Sequence, residues 1–150
     1  MVVKPKDKPK HIPLLHQEIT GKILDAYANV FALYRTRPGY SEKNFSEAML
    51  IELTALGLSV ATNTRVPRLY KDRVIGWNEI DLLVDDKVGV ELKKAERLTA
   101  ADEAQLMTYL RDRGLAVGLV LKFGGTAPEF KRVFEPRNAP PRARRGEDES

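Results

Sequence analysis

Two acids and a lysine stand in this chain where charge is costly. In the stretch NEIDLLVDDKVGVELK, from Asn78 to Lys93, the residues Asp81, Glu91 and Lys93 interrupt runs of Val, Leu and Ile. An ionised carboxylate in apolar surroundings is tolerated when it is paired or binds a metal. Two carboxylates that converge can hold a divalent cation through their oxygens. A lysine beside them can steady a water or a developing negative charge.

The elements that must position this trio are two short strands. Ile80 to Val84 and Val88 to Leu92 are apolar except for Asp81 and Glu91, and Asp85, Asp86 and Lys87 between them are turn material. Side chains alternate across a strand with a period of two. Glu91 and Lys93 therefore leave on one face, with Val88, Val90 and Leu92 on the other. The same rule puts Asp81 on a face with Leu83, opposite Ile80, Leu82 and Val84. Two readings stand for these residues alone: an exposed ion pair on a one-sided strand with a turn-proximal acid, or a site.

Composition narrows the class. The chain has 150 residues, 43% hydrophobic and 31% charged, the balance of one soluble globular domain. No apolar run is long enough to cross a membrane, and no signal-peptide pattern is present, so a cytoplasmic location is expected. The absence of Cys removes disulfides and thiolate metal sites. The only histidines, His11 and His16, lie far in sequence from the acids, which leaves a catalytic triad little to work with. No phosphate-cradling glycine loop competes. A net charge of +4 favours an anionic partner such as nucleic acid.

Residues 1–13, basic and broken by Pro5 and Pro9, read as a mobile arm; residues 135–150, rich in Pro, Arg and acids, read as a disordered tail. Arg142, Arg144 and Arg145 in that tail could contact phosphates. Between them lies one domain, residues 14–134. A helix is predicted over Leu15 to Arg35, with an apolar stripe of Ile19, Ile23, Ala26, Tyr27, Val30, Leu33 and Tyr34. Ser41 caps a second helix, Glu42 to Leu56, ended by Gly57. Leu58 to Tyr70 is extended, with Pro67 marking an edge or bulge. Trp77 is expected at the sheet edge, with base stacking as an alternative. Thr99 begins a third helix that Gly114 closes. Ala116 to Phe123 is a strand buried on both faces, followed by a short one at Phe130 to Phe134. The resulting class is α/β: a small mixed, mostly antiparallel sheet flanked by helices.

The order of these motifs resembles a known group. Asp81 followed by Glu91, Leu92 and Lys93 looks like the D…(D/E)xK signature of the PD-(D/E)XK nuclease superfamily. QLMTY, Gln105 to Tyr109, matches the QxxxY motif of its RecB-like branch. GYSEKNF, Gly39 to Phe45, resembles the motif of the GxxExxY protein family, and the similarity runs from about Leu15 to Phe134. The resemblance implies a restriction-endonuclease-like core and a metal-dependent DNA nuclease that hydrolyses phosphodiester bonds. It implies magnesium, with manganese able to substitute, held by Asp81, Glu91 and the Leu92 carbonyl. Lys93 would orient the water, Gln105 and Tyr109 would position the site and the DNA, and the family glutamate falls on Glu42.

A helical wheel bears on that last residue. At about 100° per residue, Glu42 falls in the stripe of Phe45, Met49, Leu53 and Leu56, so it is expected to point inward toward the metal. Glu47 lies well round the wheel, and Glu52 sits at the stripe's edge. A second role for Glu42 is to complement the positive helix N-terminus. Two positions depart from the family: Phe45 replaces its tyrosine, and Glu79 stands where a basic residue is expected. The rival reading is a non-catalytic binding module on a nuclease fold, or a subunit that needs a protein partner or a second copy. RNA in place of DNA is a third.

Overall fold

Paired left-handed residues make the first two hairpin turns of the sheet. Lys71 (φ 49°) and Asp72 (φ 65°) join β1 (Val60–Tyr70) to β2 (Arg73–Val84). Asp85 (φ 53°) and Asp86 (φ 56°) join β2 to β3 (Val88–Lys94), where the Lys87 N–H donates to the Val84 carbonyl at 2.9 Å. Turns of this hand match the twist of the flanking strands, and aspartate tolerates them better than most side chains. The computed structural model describes residues 15–37 and 39–141. The basic arm, His11 and the three tail arginines therefore lie outside the described residues.

The sheet has five strands in the order β1-β2-β3-β4-β5, with β4 at Val117–Phe123 and β5 at Phe130–Phe134. All neighbours are antiparallel except β3 and β4, which are parallel and joined through helix α3 (Ala100–Arg113). This is the mixed, mostly antiparallel sheet that the sequence predicts. β4 is buried at all seven positions, as its unbroken apolar run requires. β1 is an edge strand, and Pro67 lies next to a register shift between Arg68 and Leu69.

Helices α1 (Gln17–Arg35) and α2 (Glu42–Ala55) cover one face, and α3 covers the other. Ser41 caps α2 in a capping box with Asn44, and Thr99 caps α3 in one with Asp102. Gly114, at φ 83°, closes α3. The α1–α2 side holds an aromatic cluster in which Phe45 and Phe123 rings lie 5.1 Å apart, with Tyr34 5.4 Å from Phe45. Each fully buried side chain of this size contributes about 1.5–3 kcal/mol over its exposed state. One expected stripe residue is corrected: Leu33 is exposed, and Phe31, four residues after Tyr27 and edge-on to its ring, is buried instead.

Packing also continues past Phe134, where composition alone suggests tail. The Glu135 side chain is buried, receives the Arg111 Nε at 3.1 Å and the Arg137 N–H at 2.8 Å, and opens a short 3-10 helix, Pro136–Asn138. Asn138 Nδ2 then donates to the Leu110 and Leu115 carbonyls, and Ala139 is buried. The tail expected from Glu135 onward is thus corrected for Glu135 to Ala139. Five residues without periodicity are held by hydrogen bonds rather than by an apolar pattern.

Candidate active site

Strands β2 and β3 pair over only three positions, Leu82 with Val90, Leu83 with Gly89 and Val84 with Val88. Beyond Leu82 and Val90 the two acids take over from the backbone ladder. The Asp81 N–H donates to Glu91 Oε2 at 3.2 Å, and the Leu92 N–H donates to Asp81 Oδ2 at 2.8 Å. Each carboxylate thus satisfies a backbone donor on the facing strand where the ladder has ended. The simple alternation expected for β2 fails here. Ile80 packs with Leu83 and Val66 beneath α3, whereas Leu82 and Val84 join the α1–α2 core. Asn63, across from Asp81, has φ 51°, and the pair falls between the bridged partners Thr62–Leu82 and Thr64–Ile80. The local twist lets Asp81 face the gap between the strands rather than one side of the sheet.

Both acids are harder to ionise than ordinary carboxylic acids. Burial, and then the charge of Asp81, push Glu91 up to about 8. Burial also raises Asp81, opposed by the Leu92 N–H. Glu91 is 7% exposed, so little water reaches it. At neutral pH the pair shares its space with a proton, because two adjacent desolvated charges repel.

Lys93 leaves β3 on the face of Glu91, as the period-two rule predicts, and reaches α3. Its Nζ donates to Gln105 Oε1 at 2.7 Å. Tyr109 lies one turn further along, a neighbour of Gln105 on the same helix face; burial raises its hydroxyl pKa, Glu91 adds to the rise and Arg68 opposes it. The helix comes this close because two glycines lie side by side beneath it, Gly89 on β3 and Gly118 on β4. A Cβ on Gly118 would stand 2.9 Å from Leu106 Cδ2 and 3.1 Å from Leu110 Cδ2.

On the other side of the gap, a cleft of about 500 Å³ opens between the first turns of α2 and the β1–β2 pair; Asp81, Leu92, Thr62 and Asn63 line its floor. Glu42 lines its rim, and its charge raises both Asp81 and Glu91. Two expectations change. Glu42 is exposed rather than inward, and Glu47 shares the cleft with it. The reason is geometric: Glu42 falls where the buried stripe and the cleft-facing stripe of α2 overlap. Glu52 instead accepts from Asn29 of α1 at 3.3 Å.

A model of the PD-(D/E)XK nuclease superfamily matches residues 17–133, a span that holds every one of these residues. The chain belongs to this superfamily. No curated protein matches it in sequence. Among solved structures it is similar to the crystal structure of SSO0001, at 13% identity and a TM-score of 0.45, over 85% of this chain and 62% of that one.

Superfamily nucleases typically use divalent metals, and the donor set here can be tested for fit. Asp81, Glu91 and the Leu92 carbonyl are all oxygen donors, which suits a hard cation that keeps several waters. The proton that the acid pair holds marks a place where added positive charge is favourable. Among the described residues no three His, Cys, Asp or Glu side chains gather as a ready-made metal cluster, so Glu42 does not join the other two. The fit is therefore to a two-carboxylate site.

Several residues near the site escape a reading by motif. Asn63 and Thr62 need the strand register before they can be placed. Arg68, whose Nε donates to Asn78 Oδ1 at 2.8 Å, faces α3 beside Tyr109. Lys122 pairs in register with Lys93, is buried, and donates to the Glu96 carbonyl at 2.9 Å. A lone lysine in an apolar strand was the signal for it. Phe45 is core.

Proposed function

We propose that the protein is a metal-dependent DNA nuclease of the GxxExxY type that hydrolyses phosphodiester bonds. The observation that carries this reading is the pair of bonds where β2 and β3 part, from the Asp81 N–H to Glu91 and from the Leu92 N–H to Asp81, with Lys93 two residues beyond Glu91 on the same strand. Asp81, Glu91 and the Leu92 carbonyl would hold magnesium or manganese. A bound divalent ion lowers the pKa of water and offsets charge on the phosphate. Lys93, its ammonium fixed by Gln105, orients the attacking water and stabilises negative charge as it develops. Gln105 and Tyr109 position Lys93 and the substrate backbone. Glu42, at the cleft rim, accepts a hydrogen bond from a water near the acids.

The test is incubation of purified protein with linear, nicked and circular DNA, with magnesium, with manganese and with chelator. Cleavage that chelator abolishes, and that Asp81→Ala and Lys93→Ala both lose, is the expected result. Absence of cleavage with either metal on all substrates would replace this reading with a binding module on a nuclease fold. Preference for RNA in the same assay would change the substrate and keep the site.

A further inference from the structure

We infer that the β1–β2 ribbon is a platform for unpaired bases of the substrate, so that the substrate is nucleic acid with a single-stranded segment. This rests on the nuclease reading of the Asp81–Glu91 site, which it extends outward along β2. Because β3 pairs with β2 only at Leu82 to Val84, the strands beyond Thr64 and Ile80 form a two-stranded ribbon. Among the described residues, five of the ten exposed large hydrophobic side chains crowd into positions 69–77; the register puts Tyr70, Ile75 and Trp77 on one face, and Leu69 and Val74 on the α3 side. Such a concentration marks a contact surface.

The chemistry of that surface selects its occupant. Arg65 lies over the Trp77 ring, 3.9 Å from its centroid, and Lys71 lies over Tyr70 at 5.6 Å. From Thr64 to Asn78 the ribbon carries Arg65, Lys71 and Arg73 against one acid, Asp72, while a fourth cation, Arg68, lies on the α3 side. Self-association would bring these cations together, which opposes a second copy as partner. Flat aromatic and guanidinium faces interleaved with cations suit bases and phosphates in a single strand. Paired bases offer only their edges in the grooves, so an intact duplex cannot use these faces.

Position joins the platform to the site. Trp77 and Glu79 leave β2 opposite Asn78 and Ile80, which face α3; they therefore look out on the side of the Asp81 cleft. Four residues of strand span about 13 Å, so Trp77 stands about two nucleotides from a phosphate held at Asp81. Glu79, between them, accepts from Asn63 at 3.3 Å.

Trp77 is the only tryptophan of the chain, which makes its fluorescence a direct reporter. The metal-free full chain, in chelator, is titrated with an oligothymidylate of about ten nucleotides and with a blunt duplex of similar length. The single strand should quench the emission and bind more tightly than the duplex. By anisotropy of labelled oligonucleotide, Trp77→Ala should weaken that binding about tenfold, the scale of one lost base stack, with an unchanged melting temperature. Absence of quenching, equal affinity for both nucleic acids, or unchanged binding in Trp77→Ala would each overturn the inference. So would dimerisation, or binding to anionic vesicles in place of oligonucleotide, that Trp77→Ala abolishes. Cleavage of the same single strand with manganese separates the two claims. Wild-type cleavage with an unaltered KM in Trp77→Ala overturns the platform and spares the nuclease. Quenching without any cleavage supports the platform and removes the nuclease.

Discussion

Asp81 and Glu91 cross-link β2 and β3 just past the end of their ladder: Glu91 Oε2 receives the Asp81 N–H, and Asp81 Oδ2 receives the N–H of Leu92, the residue after Glu91. One arrangement thus holds the strands together and concentrates negative charge between them. Its energetic consequence is a stability that depends on pH. Between the ordinary glutamate value of 4.5 and about 8, the folded chain keeps a proton on Glu91 that the unfolded chain has released. Stability from this group is therefore greatest below the lower value and falls as pH rises through the window, with a limiting slope of about 1.4 kcal/mol per pH unit. In chelator, thermal melts from acid to mildly alkaline pH should show this decline. Glu91→Gln, neutral throughout, should flatten it. A wild-type stability independent of pH across this window would mean that the acid pair is not desolvated as described.

Metal and chemistry should separate at Lys93. Removing its nearby positive charge leaves divalent-ion affinity unchanged or improved, whereas Asp81→Ala and Glu91→Ala weaken it. Calorimetric titration with manganese should give that order, and all variants should lose cleavage. Gln105 fixes Lys93 at 2.7 Å, so Gln105→Ala should lower kcat by about tenfold, and adding it to Lys93→Ala should change nothing further. Equal manganese affinity in all variants and wild type would defeat the assignment of the acids.

Glu42 acts on the acids through space. Its charge raises both Asp81 and Glu91, so Glu42→Gln should let them ionise at lower pH. The acid limb of the manganese-affinity profile should then move down in pH, while cleavage at the optimum falls because the rim loses its acceptor. Glu52→Gln, whose parent side chain bonds Asn29 on α1, should alter neither. Glu47→Gln, on the same cleft, should have an intermediate effect. Identical profiles for Glu42→Gln and Glu52→Gln would remove Glu42 from the site.

Phe45 stands at the tyrosine position of the GxxExxY motif that this stretch resembles. Its ring is 1% exposed, amid Tyr27, Tyr34 and Phe123. Adding a hydroxyl with Phe45→Tyr should destabilise by about 1–3 kcal/mol, the cost of an unpaired buried polar group, without raising activity. A higher melting temperature or faster cleavage would show that the cluster retains a partner for that hydroxyl.

Local chemistry made the element order readable. Ser41, Thr99 and Gly114 announce helix ends because capping is a property of a few adjacent residues, and Asp85–Asp86 announces a turn for the same reason. Asp81, Glu91 and Lys93 stood out because charge is rare in apolar strands. What escaped depends on contacts distant in sequence. Leu33 and Phe31 are both plausible on a wheel, and only the partner helix decides between them. Glu42 fits the buried stripe by angle, yet the cleft beside it is set by β1. The broken alternation at Asp81 follows from Asn63 on another strand. Gly89 and Gly118 look like weak points in strands, and their use appears only when α3 lies above them.

Those glycines carry the last prediction. Gly89 and Gly118 are register partners on β3 and β4, and Leu106 and Leu110 of α3 pack directly on them. α3 in turn carries Gln105, which fixes Lys93, so the depth at which the helix sits sets the position of the ammonium. A methyl group at Gly118 would also meet the Gly89 carbonyl oxygen at 3.0 Å, and that backbone has little freedom to retreat. Gly118→Ala should therefore lift α3 and destabilise the fold by about 1–3 kcal/mol, the usual range for overpacking. The sharper consequence is functional: kcat should fall as far as in Gln105→Ala, while manganese affinity at Asp81 and Glu91 stays near wild type. Adding Leu106→Ala should free the space and recover part of the kcat, despite the further loss of core area. If Gly118→Ala weakens manganese binding and cleavage in proportion, the glycine pair serves the sheet as a whole and not the seating of Lys93.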